Sequence, residues 1–219
     1  MKHQTPAPTE TEPPARSTYR HGDLHRALLE AGIELARDGG PEAVVLREAT
    51  RRAGVVPNAA YRHFESRLAL LQAVRAAALS AVATAMEAEL AELDASLAPA
   101  ELARAGVRAV GTGYLRFART EVGLFRAAFG TPVDLSEVAA EAKAGQGGLD
   151  PFELLGAALD RMVEAGLLPP ERRPGAEYLA WAAVHGLAML GIDGPLRGVP
   201  AERLEALDQR LLDMVEKGL

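Results

Sequence analysis

Five arginines, a tyrosine, a histidine and an asparagine crowd the stretch from Arg47 to Arg67. The arginines are Arg47, Arg51, Arg52, Arg62 and Arg67, and the others are Asn58, Tyr61 and His63. Guanidinium forks match phosphate oxygens, and a phenol or imidazole can reach the same atoms. An asparagine amide can donate to and accept from the edge of adenine at once. The chemistry on offer is recognition of a nucleic-acid backbone, with Pro57, Asn58 and Ala59 placed to meet base edges. The plain alternative for each charge is a solvated surface.

No comparable set exists for catalysis. With zero cysteines, thiol chemistry, disulfides and cysteine-ligated metal are excluded. There is no phosphate loop, carboxylate pair or metal-ligand cluster, so neither cofactor nor metal is expected. His21 and His25 stand four apart and could chelate a metal on a helix, but phosphate contact or solvation suits their position better. His185 could act as a base only with a nucleophile that the sequence does not place. A helical enzyme is therefore the weakest of three readings.

The elements that must position these groups are helices. Alanine, leucine, arginine and glutamate dominate, while β-branched and aromatic residues are sparse. Residues 1–18, rich in Pro, Thr and Glu, are expected to be a disordered arm. Leu24, Leu28, Ala31 and Leu35 mark a first helix from an Asp23 N-cap to about Arg37, stopped by Gly39-Gly40-Pro41. Leu46–Ala53 reads as a second helix, Gly54 as a turn, and Pro57–His63 as a third. A long helix starts after Ser66 and runs to about Leu93. Further helices are expected over Pro99–Thr120, Val122–Phe129, Phe152–Ala165, from Pro174 to about Gly191, and over Ala201–Glu216, with 130–150 partly loop. No apolar run approaches a membrane span, so the chain is expected to be soluble, cytoplasmic and without a membrane partner.

Net charge is −6, unevenly spread. Residues 16–75 hold ten arginines against seven acids; residues 76–219 hold thirteen Lys and Arg against twenty-one acids. A basic unit on an acidic body fits a nucleic-acid partner.

Residues 19–75 resemble the DNA-binding domain of the TetR family of transcriptional regulators. The resemblance rests on His21-Gly22-Asp23-Leu24, on Ala49 with Ala53-Gly54-Val55, on Tyr61-Arg62-His63-Phe64, and on Leu70-Leu71. It implies an all-α chain: a disordered arm over 1–18, a three-helix helix-turn-helix domain over 19–66, and a ligand-binding and dimerisation domain over 67–219. It also implies a dimeric repressor of double-stranded operator DNA, released by a small-molecule effector. The DNA-binding residues so implied are Arg47, Pro57, Asn58, Ala59, Tyr61, Arg62, His63 and Arg67. Two positions depart. Relatives usually carry serine or threonine where this chain has Val45 and Val56, at the N-caps of the second and third helices. A valine cannot cap, and a lost cap costs about 0.5–2 kcal/mol. Glu48, placed for a capping box with residue 45, has no hydroxyl partner, and Leu68 replaces an acid. A hydrophobic cap packing locally would leave DNA binding intact. The alternative is a small-molecule or protein-interaction module with weakened DNA binding.

Trp181-Ala-Ala-Val-His185-Gly186 resembles the Trp-His-Gly signature of one type of C-terminal domain in that family. By that resemblance Trp181, His185 and Gly186 join Leu204, Leu207, Leu211 and Val215 in a homodimer interface of the last two helices. A largely apolar effector is expected between the middle helices. Met86, Tyr114, Phe117, Phe125, Phe129, Phe152, Leu155, Leu159 and Met162 are its candidate wall. The same residues would serve any solid helical core.

Overall fold

A computed structural model describes residues 21–130 and 140–219. The expected arm over 1–18 lies outside the described residues. Every regular element among them is a helix.

Helix α1 (His21–Ala43) starts two residues before the predicted cap, so Asp23 lies inside its first turn rather than at its N-cap. Its continuity is broken at Gly40, whose φ of 72° and ψ of −169° only glycine adopts without strain. The Gly39-Gly40-Pro41 stop therefore works, and Pro41–Ala43 is an added turn beyond it. Helix α2 spans Leu46–Arg52, and Gly54 (φ 69°) reverses the chain. Helix α3 is only Pro57–Ala60, shorter than the sequence pattern suggests. Residues 61–63 tighten into turns, with the amides of His63 and Phe64 both donating to Ala60 O at 2.9 Å. That tightening swings Phe64 back into a small core with Leu28, Leu46 and Ala49.

Helix α4 (Arg67–Ala91) begins at Ser66, whose hydroxyl accepts from the Ala69 amide at 3.1 Å. At 25 residues it is long and apolar enough to cross a bilayer, contrary to the expectation of no such run, because its many alanines count as apolar. Half of its apolar window is buried, and it packs against α1 and against the helices that follow. Those are α5 (Pro99–Thr120), α6 (Val122–Phe129), α7 (Ala140–Lys143) and α8 (Pro151–Glu164). Asp150 and Glu153 form a reciprocal capping box at the start of α8. A 3-10 turn, Pro170–Arg172, leads to α9 (Ala176–Ile192) and α10 (Ala201–Gly218). Helix α5 is central to the body, touching α4, α6, α8, α9 and α10, while α6 lies against α1.

Two glycines set the closest backbone-to-backbone approaches between helices. A Cβ at Gly113 of α5 would sit 2.6 Å from Ala85 O and Met86 Cα of α4. At Gly123 of α6 it would run into the carbonyl oxygens of Ala36 and Arg37 of α1. Gly106, also in α5, has open space at the same position. Gly113→Ala should therefore lower the unfolding free energy by about 1–3 kcal/mol through overpacking. Gly106→Ala should raise it by up to about 1 kcal/mol through helix propensity. Denaturant titration of both variants measures this, and equal effects would refute the close α4–α5 contact.

Candidate functional site

Three surfaces concern function: the face of α2 and α3, a cavity in the body, and the outer side of α9. On the first, Arg47, Asn58, Tyr61 and Arg62 are exposed and Ala59 and His63 are half-buried. Pro57 opens α3, and Val56 before it is 69% exposed with no side-chain cap. Val45 is 42% exposed and likewise uncapped. Local packing of a hydrophobic cap is thus corrected at Val56, which packs against little. Leu68 is exposed as well.

Several of the expected phosphate-binding arginines are engaged within the chain. Arg67 is the clearest correction. Its Nε donates to Val44 O and its second nitrogen to Pro41 O, both at 2.8 Å, so it ties the α1–α2 link to α4. Arg52 pairs with Asp38 at 2.8 Å and Glu34 at 3.7 Å. Arg51 donates to Glu48 at 3.0 Å, and that guanidinium holds the Glu48 carboxyl below its ordinary range. Among the described residues, Arg47 and Arg62 are the arginines of this set with neither an ion pair nor a side-chain hydrogen bond within the chain. His25 stacks on Phe64 with ring centroids 4.6 Å apart and lies 6.3 Å from His63.

The cavity, about 290 Å³, lies between α4, α5, α8, α9 and α10, with Phe129 of α6 on its wall. Met86, Tyr114, Phe129, Phe152 and Leu155 of the expected set line it. Phe117, Phe125, Leu159 and Met162 do not; they are buried in solid core, Phe125 directly behind Tyr114 and Phe129. Leu79, Tyr178, Trp181 and Val184 complete the wall in places the sequence did not indicate.

Tyr114 Oη, 3% exposed at the residue level, is 2.8 Å from His185 Nδ1 and 3.2 Å from Trp181 Nε1. An indole N–H can only donate, so the tyrosine oxygen accepts there. With its single proton given to Nδ1, the contact assigns His185 as the neutral Nε2–H tautomer. Burial supports the same assignment. It pushes the histidine below its ordinary value and the phenol above its own. Trp181 and His185 thus turn ring nitrogens toward Tyr114 inside the protomer while both stay half-buried, and of the residues expected at the interface Val215 is the one buried on the cavity wall.

The other side of α9 presents Leu179 (69% exposed), Ala182, Gly186 and Leu190 (44% exposed) at spacings of three and four. Gly186 has nothing within 4 Å of its missing Cβ. Met214 is exposed on α10, where Leu204, Leu207 and Leu211 are half-buried.

Residues 28–74 match the family described as bacterial regulatory proteins, tetR family, and residues 107–215 match a tetracyclin repressor-like C-terminal domain. A comparison with curated proteins gives no match. Among solved structures, the chain is similar to a protein of unknown function from a Rhodococcus species: 27% identity, TM-score 0.72, covering 93% of this chain and 99% of that one. It also shares its fold with the TetR family transcriptional regulator PfmR from Thermus thermophilus, at 21% identity and TM-score 0.55, over 88% of this chain and 98% of that one. A third is the transcriptional regulator FadR from Bacillus subtilis, solved with stearoyl-CoA, at 12% identity and TM-score 0.55 over 89% and 99% of the two chains.

The histidine assignment has a measurable consequence. Its folded pKa lies below the unfolded value of 6.5, so the unfolded chain takes up this proton first. Its contribution to stability is complete above about pH 6.5 and is lost as the pH falls toward the folded pKa. Unfolding free energy should fall over that window, and His185→Gln should flatten the slope. An unchanged slope in the variant would overturn the neutral assignment.

Proposed function

This chain belongs to the TetR family of transcriptional regulators, and on that footing we propose that it is a homodimeric, cytoplasmic repressor released from its operator by a small molecule. The carrying observation is that one helix serves both ends. Leu70, Leu71 and Val74 of α4 stand in the core shared with α1, and Leu79 and Met86 of the same helix wall the cavity. A ligand that prefers one position of α4 shifts the equilibrium between the two dispositions of the DNA-reading unit. Each α3 enters a major groove of a roughly palindromic operator, with half-sites about one helical turn (~34–36 Å) apart or more. Asn58 and Ala59 meet base edges, and Arg47, Tyr61, Arg62 and His63 hold phosphates.

A second reading is favoured by a specific observation. Val45 and Val56 leave both helix starts uncapped, and Arg51, Arg52 and Arg67 are occupied within the chain. A body that binds ligand while its DNA face has weakened fits these facts. Fluorescence polarisation with DNA from upstream of the protein's own gene separates the two: the repressor reading requires binding that far exceeds a scrambled duplex. Val56→Ser should tighten that binding and add about 0.5–2 kcal/mol to the unfolding free energy. Unchanged affinity would remove the weakened-cap account.

The dimer is read from the outer face of α9. Leu179, Ala182, Gly186 and Leu190 form an apolar stripe with room for close helix approach. In sedimentation the wild type should run as a dimer at micromolar concentration, and the double variant Leu179→Glu with Leu190→Glu as a folded monomer. A monomeric wild type would refute the dimer.

A further inference from the structure

The wall of the body cavity specifies its ligand more narrowly than apolarity alone. Five of the chain's ten aromatic side chains line it: Tyr114, Phe129, Phe152, Tyr178 and Trp181. Phe152 lies 5.1 Å from Tyr178 and 5.9 Å from Trp181, and Phe129 lies 6.1 Å from Trp181, ring centroid to centroid. Rings in mutual contact at these distances form a continuous aromatic surface, against which another ring can stack or pack edge-on.

Apart from the hydroxyl of Tyr178, a residue 61% exposed, the polar side chains on the wall are engaged within the chain. The Trp181 N–H is given to Tyr114, and the Tyr114 proton to His185. Arg108 is held by Gln209, Asp213 and Glu216. Lys143 pairs with Asp150 at 3.1 Å, and the same carboxylate caps α8 through the amides of Phe152 and Glu153. An incoming anion would have to break one of these ion pairs. A cation would find that the wall's carboxylate among the described residues, Asp150, is taken. Either charge placed in the depth of the cavity, beside Phe129 and Trp181, would lack a free counter-ion, a cost that an uncharged ligand avoids.

Volume adds the last restriction. An apolar cavity of about 150 Å³ holds one benzene, and this one is about 290 Å³. From these three observations we propose that the cavity binds an uncharged hydrophobe of two aromatic rings, fused or linked, held by Phe129, Phe152 and Trp181. The proposal rests on the cavity being the effector site.

Calorimetric titration of the full chain with naphthalene tests it, with decalin, 2-naphthoate and 2-naphthylmethylammonium as matched probes. Naphthalene should bind saturably, one per chain, and perturb the emission of Trp181, the single tryptophan. Each ion should bind at least tenfold more weakly, and decalin about twofold to tenfold more weakly through lost ring–ring contacts. Phe152→Leu should weaken naphthalene more than decalin. Unsaturable naphthalene binding, an ion that binds as tightly, or decalin that matches naphthalene would overturn the proposal. Operator release is read in parallel. Naphthalene that binds without releasing operator upholds the ligand class and removes the effector reading. An ion that binds and releases operator does the reverse.

Discussion

Two backbone contacts without side chains hold the two halves of the molecule in register. Gly113 brings α5 against the backbone of α4 at Ala85 and Met86, and Gly123 brings α6 against the last carbonyls of α1 before its break. A methyl group fits at neither point. Packed interiors yield little, so these contacts act as fixed points and not as hinges. The cavity opens beside the first, and the α2–α3 face hangs from the helix held by the second. What moves one helix axis near Met86 is therefore transmitted to α1 by rigid elements.

Electrostatics does different work in the two halves. Several arginines of the N-terminal region are engaged within the chain, although its net positive excess remains. Arg52 reaches Asp38 and Glu34, Arg51 reaches Glu48, and Arg67 binds two carbonyls. Exposed pairs of this kind contribute little to stability, so exchanging them for phosphate contacts costs the fold little. Arg67 is different, because it donates to two backbone carbonyls at once, those of Val44 and Pro41. In the body, Arg119 and Asp208 join α5 to α10 and Arg126 and Asp193 join α6 to α9. These pairs fix which helix faces which; the apolar core supplies most of the stability.

Much of this arrangement could be read from residues alone. The Gly39-Gly40-Pro41 stop, the Gly54 turn, the Ser66 cap and the breaks near residues 166, 194 and 198 all fall where turn chemistry placed them. The family is confirmed, together with the all-helical fold. The misses share physical causes. Helix α3 is short because Phe64 must turn back into the core, a tertiary demand that local propensity does not register. The Asp150 and Glu153 capping box is legible in the sequence, at the boundary between the glycine-rich 130–150 segment and the helix that follows. The inward aim of Trp181 and His185 was hidden because α9 is apolar on nearly every side, so periodicity could not say which face meets the core. Phe117, Phe125, Leu159 and Met162 could not be told from cavity residues, because solid core and cavity wall use the same side chains.

The cavity is connected to the α2–α3 face through two continuous lines of packed helices. Helix α4 contributes Leu79 and Met86 to the wall and continues without a break into the core around Val74 and Leu70. Helix α6 contributes Phe129, and one turn and a half earlier its Gly123 touches α1, where Arg37 also pairs with Glu121 at 2.8 Å. A ligand pressing on Phe129 cannot displace α6 alone, since Gly123 leaves no gap to absorb the motion. It must carry α1 along, or else α4 must slide past both. Motion of α4 relative to α1 strains the Arg67 clamp on Pro41 O and Val44 O, the point where the two paths rejoin. That clamp sits beside Val45, the uncapped start of α2. The residues that set α2 and α3 on a DNA duplex are thus attached to the body through the joint that both paths load.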